Sequence, residues 1–384
     1  MSPIALAAVH RQDLRPLIGG PAFLVGVRRL LQCGLALALL AALPCTAAAA
    51  ERQAQPLVDL PPAPGARVVD RVVDGTPSAP LARAAQASGR TTVVRAADGQ
   101  PVRVTLSDAY AADPAIARSY VSFLSDLPHG SELRLLRMRI VTPQAVPSSC
   151  GAPDAVDVLA CYLPRSDLMV VPGEAPQEQG VTQAYVVAHE YGHHIANHRS
   201  NAPFEALDFG PKRWASQQDV CHHWLADRLA PGDEADNYRA NPGEAWAETY
   251  ARLRYPEPEW RYTELLRPTQ GANVAALRDV GDPWRGPRGQ AFRGRLGRLD
   301  AQDRHSFKLT LDGTLRVRLE GPRTANYDLV LRANGRLRGR TRAAGSRDRL
   351  GSEAACVQAP ETITVTVRRR SGAGPYTLRV TSAG

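Results

Sequence analysis

The sequence predicts an α+β domain followed by a small all-β sandwich. Three observations predict it. Two histidines four residues apart sit inside a long apolar stretch of helical character near the middle of the chain. After about residue 287, short β-type runs recur, separated by Gly, Asn and Asp turns. The length of 384 residues suits about two to three domains. A content of 44% hydrophobic and 22% charged residues excludes wholesale disorder and a fibrous repeat. No apolar run reaches the roughly 18 residues a membrane span needs, which excludes a multi-spanning membrane protein.

The N-terminal segment reads as an export signal. Arg28 and Arg29 precede an almost wholly apolar stretch, residues 30–44, and small residues follow from Thr46 to Ala50. A positive flank, a short apolar core and an A-x-A-like site are the parts of a secretory signal, here residues 1–50. An uncleaved anchor is the alternative, disfavoured by the short apolar stretch. Removal of residues 1–50 leaves Cys150, Cys161, Cys221 and Cys356. An even number in an exported chain suggests two disulfides, with three connectivities allowed. Cys150 with Cys161 is the local pair, which leaves Cys221 with Cys356; free buried thiols are the alternative. A four-cysteine zinc site lacks the close C-x-x-C pair it needs.

Along the mature chain, residues 51–104 read as a linker or candidate pro-segment: 51–66 are Pro- and Ala-rich, and 67–104 are alternatively an early part of the catalytic domain. A helix should start at Asp113 as cap with Pro114 in its first turn, and Ile116, Tyr120, Phe123 and Leu124 share one face. It should stop at Leu127-Pro128-His129-Gly130. Residues 133–141 and 168–171 read as strands, residues 182–198 as a long helix, and a further helix begins at Asn241-Pro242. A cluster of Gly and Pro over residues 276–289 reads as an interdomain linker, with the sandwich over 290–384. Its strands are expected at 306–311, 314–320, 327–332, 362–367 and 376–380.

Residues 189–193 read His-Glu-Tyr-Gly-His. On a helix, His189 and His193 point from one face and can share one metal ion. Glu190 stands beside the first of them, placed to act as general base toward a zinc-activated water of pKa about 7. Gly192 inside the helix costs about 1 kcal/mol, which points to a packing reason for it. A catalytic zinc needs a third protein ligand. A metzincin would carry a histidine at position 199, and this chain has Arg199. Glu244 and Glu248 lie i, i+4 on the second helix, so Glu244 is the expected ligand and Glu248 the residue supporting a ligand histidine. Asn241-x-x-Glu244 is also a capping box with Pro242 in the first turn, a competing role for Glu244. His194 and His198 turn away from the His189/His193 face; His222 and His223 are alternative ligands. Tyr238 is a candidate oxyanion donor, or a core tyrosine.

These residues resemble the bacterial neutral zinc metallopeptidase family. The blocks that carry the resemblance are Tyr110-Ala111-Ala112-Asp113-Pro114, then Leu127-Pro128-His129-Gly130-Ser131-Glu132-Leu133, then Cys150-Gly151 and Cys161. The strongest is Gln183-Ala184-Tyr185-Val186-Val187-Ala188-His189-Glu190-Tyr191-Gly192-His193-His194. The resemblance spans residues 108–255. It implies an α+β zincin-like peptidase domain over residues 105–275, one catalytic Zn2+ on His189 and His193, and Glu190 as catalytic base. The block Glu244-Ala245-Trp246-Ala247-Glu248 departs from the family's acidic block and is similar to that of lethal-factor-type, gluzincin-like metallopeptidases. Tyr327-Asp328-Leu329-Val330-Leu331 and Gly372-Ala373-Gly374-Pro375-Tyr376-Thr377-Leu378-Arg379-Val380 resemble the bacterial pre-peptidase C-terminal domain, which implies a non-catalytic, jelly-roll-like sandwich.

The implied activity is hydrolysis of a protein or peptide substrate by an exported, periplasmic or extracellular, zinc metalloendopeptidase. The alternative is an inactive zincin scaffold that binds through its C-terminal sandwich. The formal net charge of +9 invites a nucleic-acid reading. Its distribution argues otherwise. Residues 288–384 hold 20 basic and 8 acidic residues, whereas residues 51–287 hold 23 and 29. An acidic domain precedes a basic one. That split suits an anionic cell-envelope surface as partner better than nucleic acid, with no membrane span after signal cleavage.

Overall fold

The computed structural model describes residues 52–66, 68, 72, 88–152, 158–176, 180–358 and 360–384. The export segment read at residues 1–50 lies outside the described residues. Two main cores, with a smaller apolar cluster around Cys150 and Cys161, organise the described residues. The first is built on a five-stranded sheet of β1 (Gly89–Arg95), β2 (Pro101–Ser107), β3 (Arg137–Val141), β4 (Cys161–Leu163) and β5 (Leu168–Pro172). Its order is β1-β2-β3-β5-β4. The β2/β3 and β3/β5 pairs are parallel and the two outer pairs antiparallel. Strand β5 is buried along its whole length, as a near-continuous apolar run should be.

Helix α1 (Pro114–Asp126) begins where its cap was expected, with the Asp113 carboxylate accepting the Ala115 amide at 2.7 Å. A single turn, α2 (Val146–Ser149), precedes Cys150. Helix α3 (Gln183–Asn197) is capped by Thr182, whose hydroxyl accepts the Tyr185 amide. It is buried from Gln183 to Ala196, the mark of a helix enclosed on all sides. Short helices α4 (Ala206–Phe209), α5 (Lys212–Gln217) and α6 (Val220–Leu225) lead to α7 (Pro242–Arg252) and α8 (Gln270–Gly281).

Three expectations need correction. Residues 89–104 lie within the segment 51–104, yet they form β1 and the start of β2, which overturns the linker or pro-segment reading in favour of its alternative, an early part of the domain. Val102 and Val104 of β2 are fully buried in the first core, so this stretch is part of the domain. The strand expected over 133–141 starts only at Arg137. Before it, Ser131–Leu135 winds as a 3-10 turn, because the buried Glu132 side chain accepts the Gly130 amide at 2.7 Å and the Arg199 guanidinium at 3.0 Å. The connection between the cores is shorter than 276–289. Helix α8 runs to Gly281, held by Asp279, which accepts the Arg213 and Trp214 amides at 2.9 and 2.8 Å.

The second core is a β-sandwich. One sheet has the order β10 (Arg336–Arg340), β9 (Asn326–Ala333), β12 (Glu361–Ser371), β7 (Gln302–Leu309). The other has β11 (Arg349–Ala355), β8 (Gly313–Glu320), β13 (Gly374–Ser382), β6 (Arg288–Leu296). Alternate residues such as Val317, Leu329, Val365 and Leu378 fill the space between them.

The sandwich is fastened to the first core rather than tethered. The buried Lys212 ammonium of α5 donates to the carbonyls of Asn201, Ala202 and Asp312 at 3.0, 2.8 and 3.0 Å. Ser216 accepts the Asp312 amide at 2.9 Å, and the Trp284 indole donates to the Ala383 carbonyl at 2.8 Å. The disulfide Cys221–Cys356 closes this junction across 135 residues of sequence. A loop of that length corresponds to about 5 kcal/mol in the chain-entropy picture. Cys150–Cys161 closes a local loop in the first domain.

Burial pushes the Asp312 carboxyl up from 3.8 to about 6, against the opposing pull of the Val357 amide and Lys212. A raised folded-state pKa means that the folded chain holds this proton more tightly than the unfolded one. The contribution to stability therefore grows as pH falls from about 6 towards 3.8. The unfolding free energy of the wild type should gain on that of Asp312→Asn between pH 7 and pH 4.5, measured by denaturant titration of both proteins. A constant difference between the two would show that the carboxyl is ionised throughout.

Candidate metal centre

Helix α3 sets His189 and His193 one turn apart, with ring centroids 5.2 Å apart. Both Nε2 atoms face the same carboxylate on α7. His189 Nε2 lies 3.3 Å from Glu244 Oε2, and His193 Nε2 lies 3.3 Å from Glu244 Oε1. All three side chains are fully buried, and one donor atom from each lies within 4.8 Å of the others. Zinc bonds of about 2.0–2.1 Å in a tetrahedron place donors about 3.3–3.4 Å apart. The donor set and its spacing therefore fit a zinc ion. Glu190 follows His189 on the same buried helix, rotated from it by about 100°.

The capping role that competes for Glu244 is filled otherwise. Asn241 caps α7 by accepting the Gly243 amide at 2.9 Å, and its own amide donates to the Tyr238 carbonyl at 3.1 Å. Glu244 lies between the two histidines instead.

Close approach of α3 and α7 makes this arrangement possible. A Cβ built on Gly192 would lie 2.8 Å from the Ala247 Cα and 3.2 Å from the Ala247 carbonyl oxygen. Only glycine allows the two backbones to meet there. The Trp246 indole then donates to the Gly192 carbonyl at 2.8 Å, tying the helices at the same level.

Glu248 sits one turn beyond Glu244, with Oε2 3.4 Å from His189 Nδ1. Its other oxygen accepts the Tyr185 hydroxyl at 2.5 Å. Burial, and then the Glu248 charge, hold the Tyr185 phenol far above its ordinary pKa, so it remains the donor. This chain of contacts sets Glu248 behind the His189 ring, where an outer partner of a ligand histidine usually stands. No motif in the sequence gives Tyr185 this part; its position four residues before His189 on the same helix is the available signal. Tyr238, in the turn before α7, places its hydroxyl 3.2 Å from that of Tyr262 and packs against the first core. Among the described residues, His222 and His223 do not join the donor group; they lie on α6. Arg199 is occupied by its buried ion pair with Glu132.

No protein-family model matches the chain, and no curated protein matches it. Some solved structures are weakly similar. The pre-peptidase C-terminal domain of a Bacillus anthracis collagenase is 18% identical at a TM-score of 0.21, over 24% of this chain and 88% of that one. The Yersinia pseudotuberculosis-derived mitogen is 16% identical at 0.21, over 25% and 86%. The Aeromonas hydrophila periplasmic inhibitor of g-type lysozyme is 15% identical at 0.18, over 25% and 86%. Scores of this size establish no common fold for the chain.

Gly192→Ala should force α7 away from α3 and carry Glu244 with it. Zinc affinity is expected to fall by about tenfold or more, with helix content kept, in a competition titration against a chromogenic chelator. Unchanged affinity would show that this contact does not set the Glu244 position.

Proposed function

We propose that this chain is an exported zinc metallopeptidase with a zincin-like catalytic domain, acting outside the cytoplasm on protein or peptide substrates. The observation that carries the proposal is the convergence of His189, His193 and Glu244, with Glu190 beside them on the same buried helix. The two disulfides suit an extracytoplasmic fold. Among the described residues no helix is long and apolar enough to cross a membrane.

His189, His193 and Glu244 would hold the ion. When bound, zinc supplies Lewis-acid polarisation of a carbonyl and lowers the pKa of a water to about 7. Glu190 takes the proton of the attacking water as the new C–O bond forms. It returns that proton to the departing nitrogen as the C–N bond breaks. Tyr238 is the proposed hydrogen-bond donor to the developing oxyanion. Glu248 is a positioning residue, acting through His189 Nδ1.

Glu190→Gln should keep the ion and lose proteolysis of an unstructured protein substrate by a factor of about 100 or more. Chelation should abolish wild-type activity and zinc restore it. Persistent, chelator-sensitive proteolysis in Glu190→Gln would remove Glu190 from the mechanism. Zinc-replete wild type without hydrolysis of any peptide library would favour the inactive scaffold.

The sandwich would supply the anionic-surface contact. Arg318 of β8 stands directly opposite Arg349 on one neighbouring strand and Arg379 on the other. Like charges in direct cross-strand register are destabilising. Anionic headgroups would offset that cost. Vesicles containing about 30% anionic lipid should bind the chain at low salt and release it as salt rises, and Arg318→Glu/Arg379→Glu should abolish sedimentation with them. Equal sedimentation with neutral vesicles would remove the idea.

A further inference from the structure

Beyond the metal centre, the described residues hold one more group of three donors, Asp167, His194 and His198, which no step of the proposed hydrolysis uses. His194 lies on α3, and His198 caps its carboxyl end. Asp167 sits in the turn between β4 and β5 in a left-handed conformation, φ 50°.

The tautomer of His194 follows from its neighbours. Its Nε2 is 3.0 Å from the Glu132 backbone carbonyl, which can only accept, so Nε2 carries the hydrogen. Nδ1 then presents its lone pair to the cluster, 3.0 Å from the Tyr162 hydroxyl and 3.9 Å from Asp167 Oδ1. A histidine that donates one ring N–H to a backbone carbonyl and turns the other nitrogen inward is oriented as metal-ligating histidines are. His198 Nε2 lies 2.7 Å from the same Asp167 oxygen.

The cluster is rich in acceptors. Tyr162 has one hydroxyl proton for two acceptors, Asp167 Oδ1 and His194 Nδ1, both at 3.0 Å. The Asn197 amide has two protons for three acceptors, the Tyr162 oxygen, the Pro164 carbonyl and Asp167 Oδ1, at 3.0, 3.1 and 3.3 Å. With the His198 Nε2–H, four protons meet four acceptor atoms one for one, and an ion entering here would exchange these hydrogen bonds for bonds to Asp167 Oδ1 and the two imidazole nitrogens. His194 is fully buried, whereas the Asp167 and His198 side chains are 28% and 22% exposed, which leaves a solvent side for the ion to enter.

We propose that Asp167, His194 and His198 form a second divalent-metal site of the zinc class, pinning the carboxyl end of α3 to the β4–β5 turn. Two imidazoles and one carboxylate select zinc and its neighbours over calcium or magnesium, which prefer all-oxygen sites. The site is independent of the proposed hydrolysis. It acts on structure, by holding the far end of the helix that carries His189 and His193.

Zinc bound per chain, measured by elemental mass spectrometry after chelator dialysis and zinc titration, tests it. Wild type should hold about two ions, and His198→Gln and Asp167→Asn about one each. Asparagine tolerates the left-handed conformation at position 167, so Asp167→Asn keeps the turn. His193→Ala should also hold about one ion, and that ion should disappear when His198→Gln is added. Wild type saturating at one ion, or His198→Gln and Asp167→Asn binding as much as wild type, would overturn this site. A His193→Ala protein that holds no ion would likewise overturn it.

Discussion

The candidate metal centre depends on the distance between two helix backbones. Helices α3 and α7 meet at Gly192 and Ala247, where any side chain at position 192 would drive into main-chain atoms. At that separation the carboxylate of Glu244 reaches both His189 and His193, and Glu248 reaches the far nitrogen of His189. Glycine in a helix interior costs stability, and here it gives access to a geometry no other residue allows. The Trp246–Gly192 hydrogen bond holds the approach at the same level.

Around this contact, buried polar groups form a dense hydrogen-bonded network. Glu132 shows the density of that wiring. Its carboxylate takes the Gly130 amide, the Tyr191 hydroxyl and the Arg199 guanidinium, and its carbonyl takes His194. The Arg199 side chain reaches on to the Asp279 carbonyl of α8. A single buried acid thus joins the 3-10 turn before β3, both flanks of α3 and the last helix of the domain. Removing one member of such a network leaves the others desolvated without a partner, which costs more than the bond itself contributes.

The centre and the core of the fold were legible in the sequence to different depths. The starts of α3 and α7 follow from Thr182 and Asn241, and strands β7, β8, β9, β12 and β13 follow from alternation, all but β7 interior to their sheets. Strands β6, β10 and β11 did not stand out. All three lie at sheet edges, where one side of the ladder is open and exposed polar residues and glycines replace the apolar half of the pattern. Strands β1 and β2 were hidden for a related reason. Of the two, only β2 buries alternate residues, and the weak pattern of β1 blurred the pair. Asp167 carried no sequence signal, since its place beside His194 and His198 arises from the β4–β5 turn.

By itself, the sequence determined the local chemistry: two histidines on one helix face, an adjacent glutamate, a second helix with acids one turn apart, and an acidic half followed by a basic half. Periodicity and capping are local, so a chain read residue by residue reports them. The sequence also named Glu244, Glu248 and the Cys221–Cys356 pair; tertiary structure decided the distances at which the two acids meet His189 and His193, the part Tyr185 plays behind Glu248, and that the basic sandwich is bolted to the first domain through Lys212 and Trp284. Those choices rest on distances between elements far apart in sequence, set by close packing at positions such as Gly192 that no local pattern encodes.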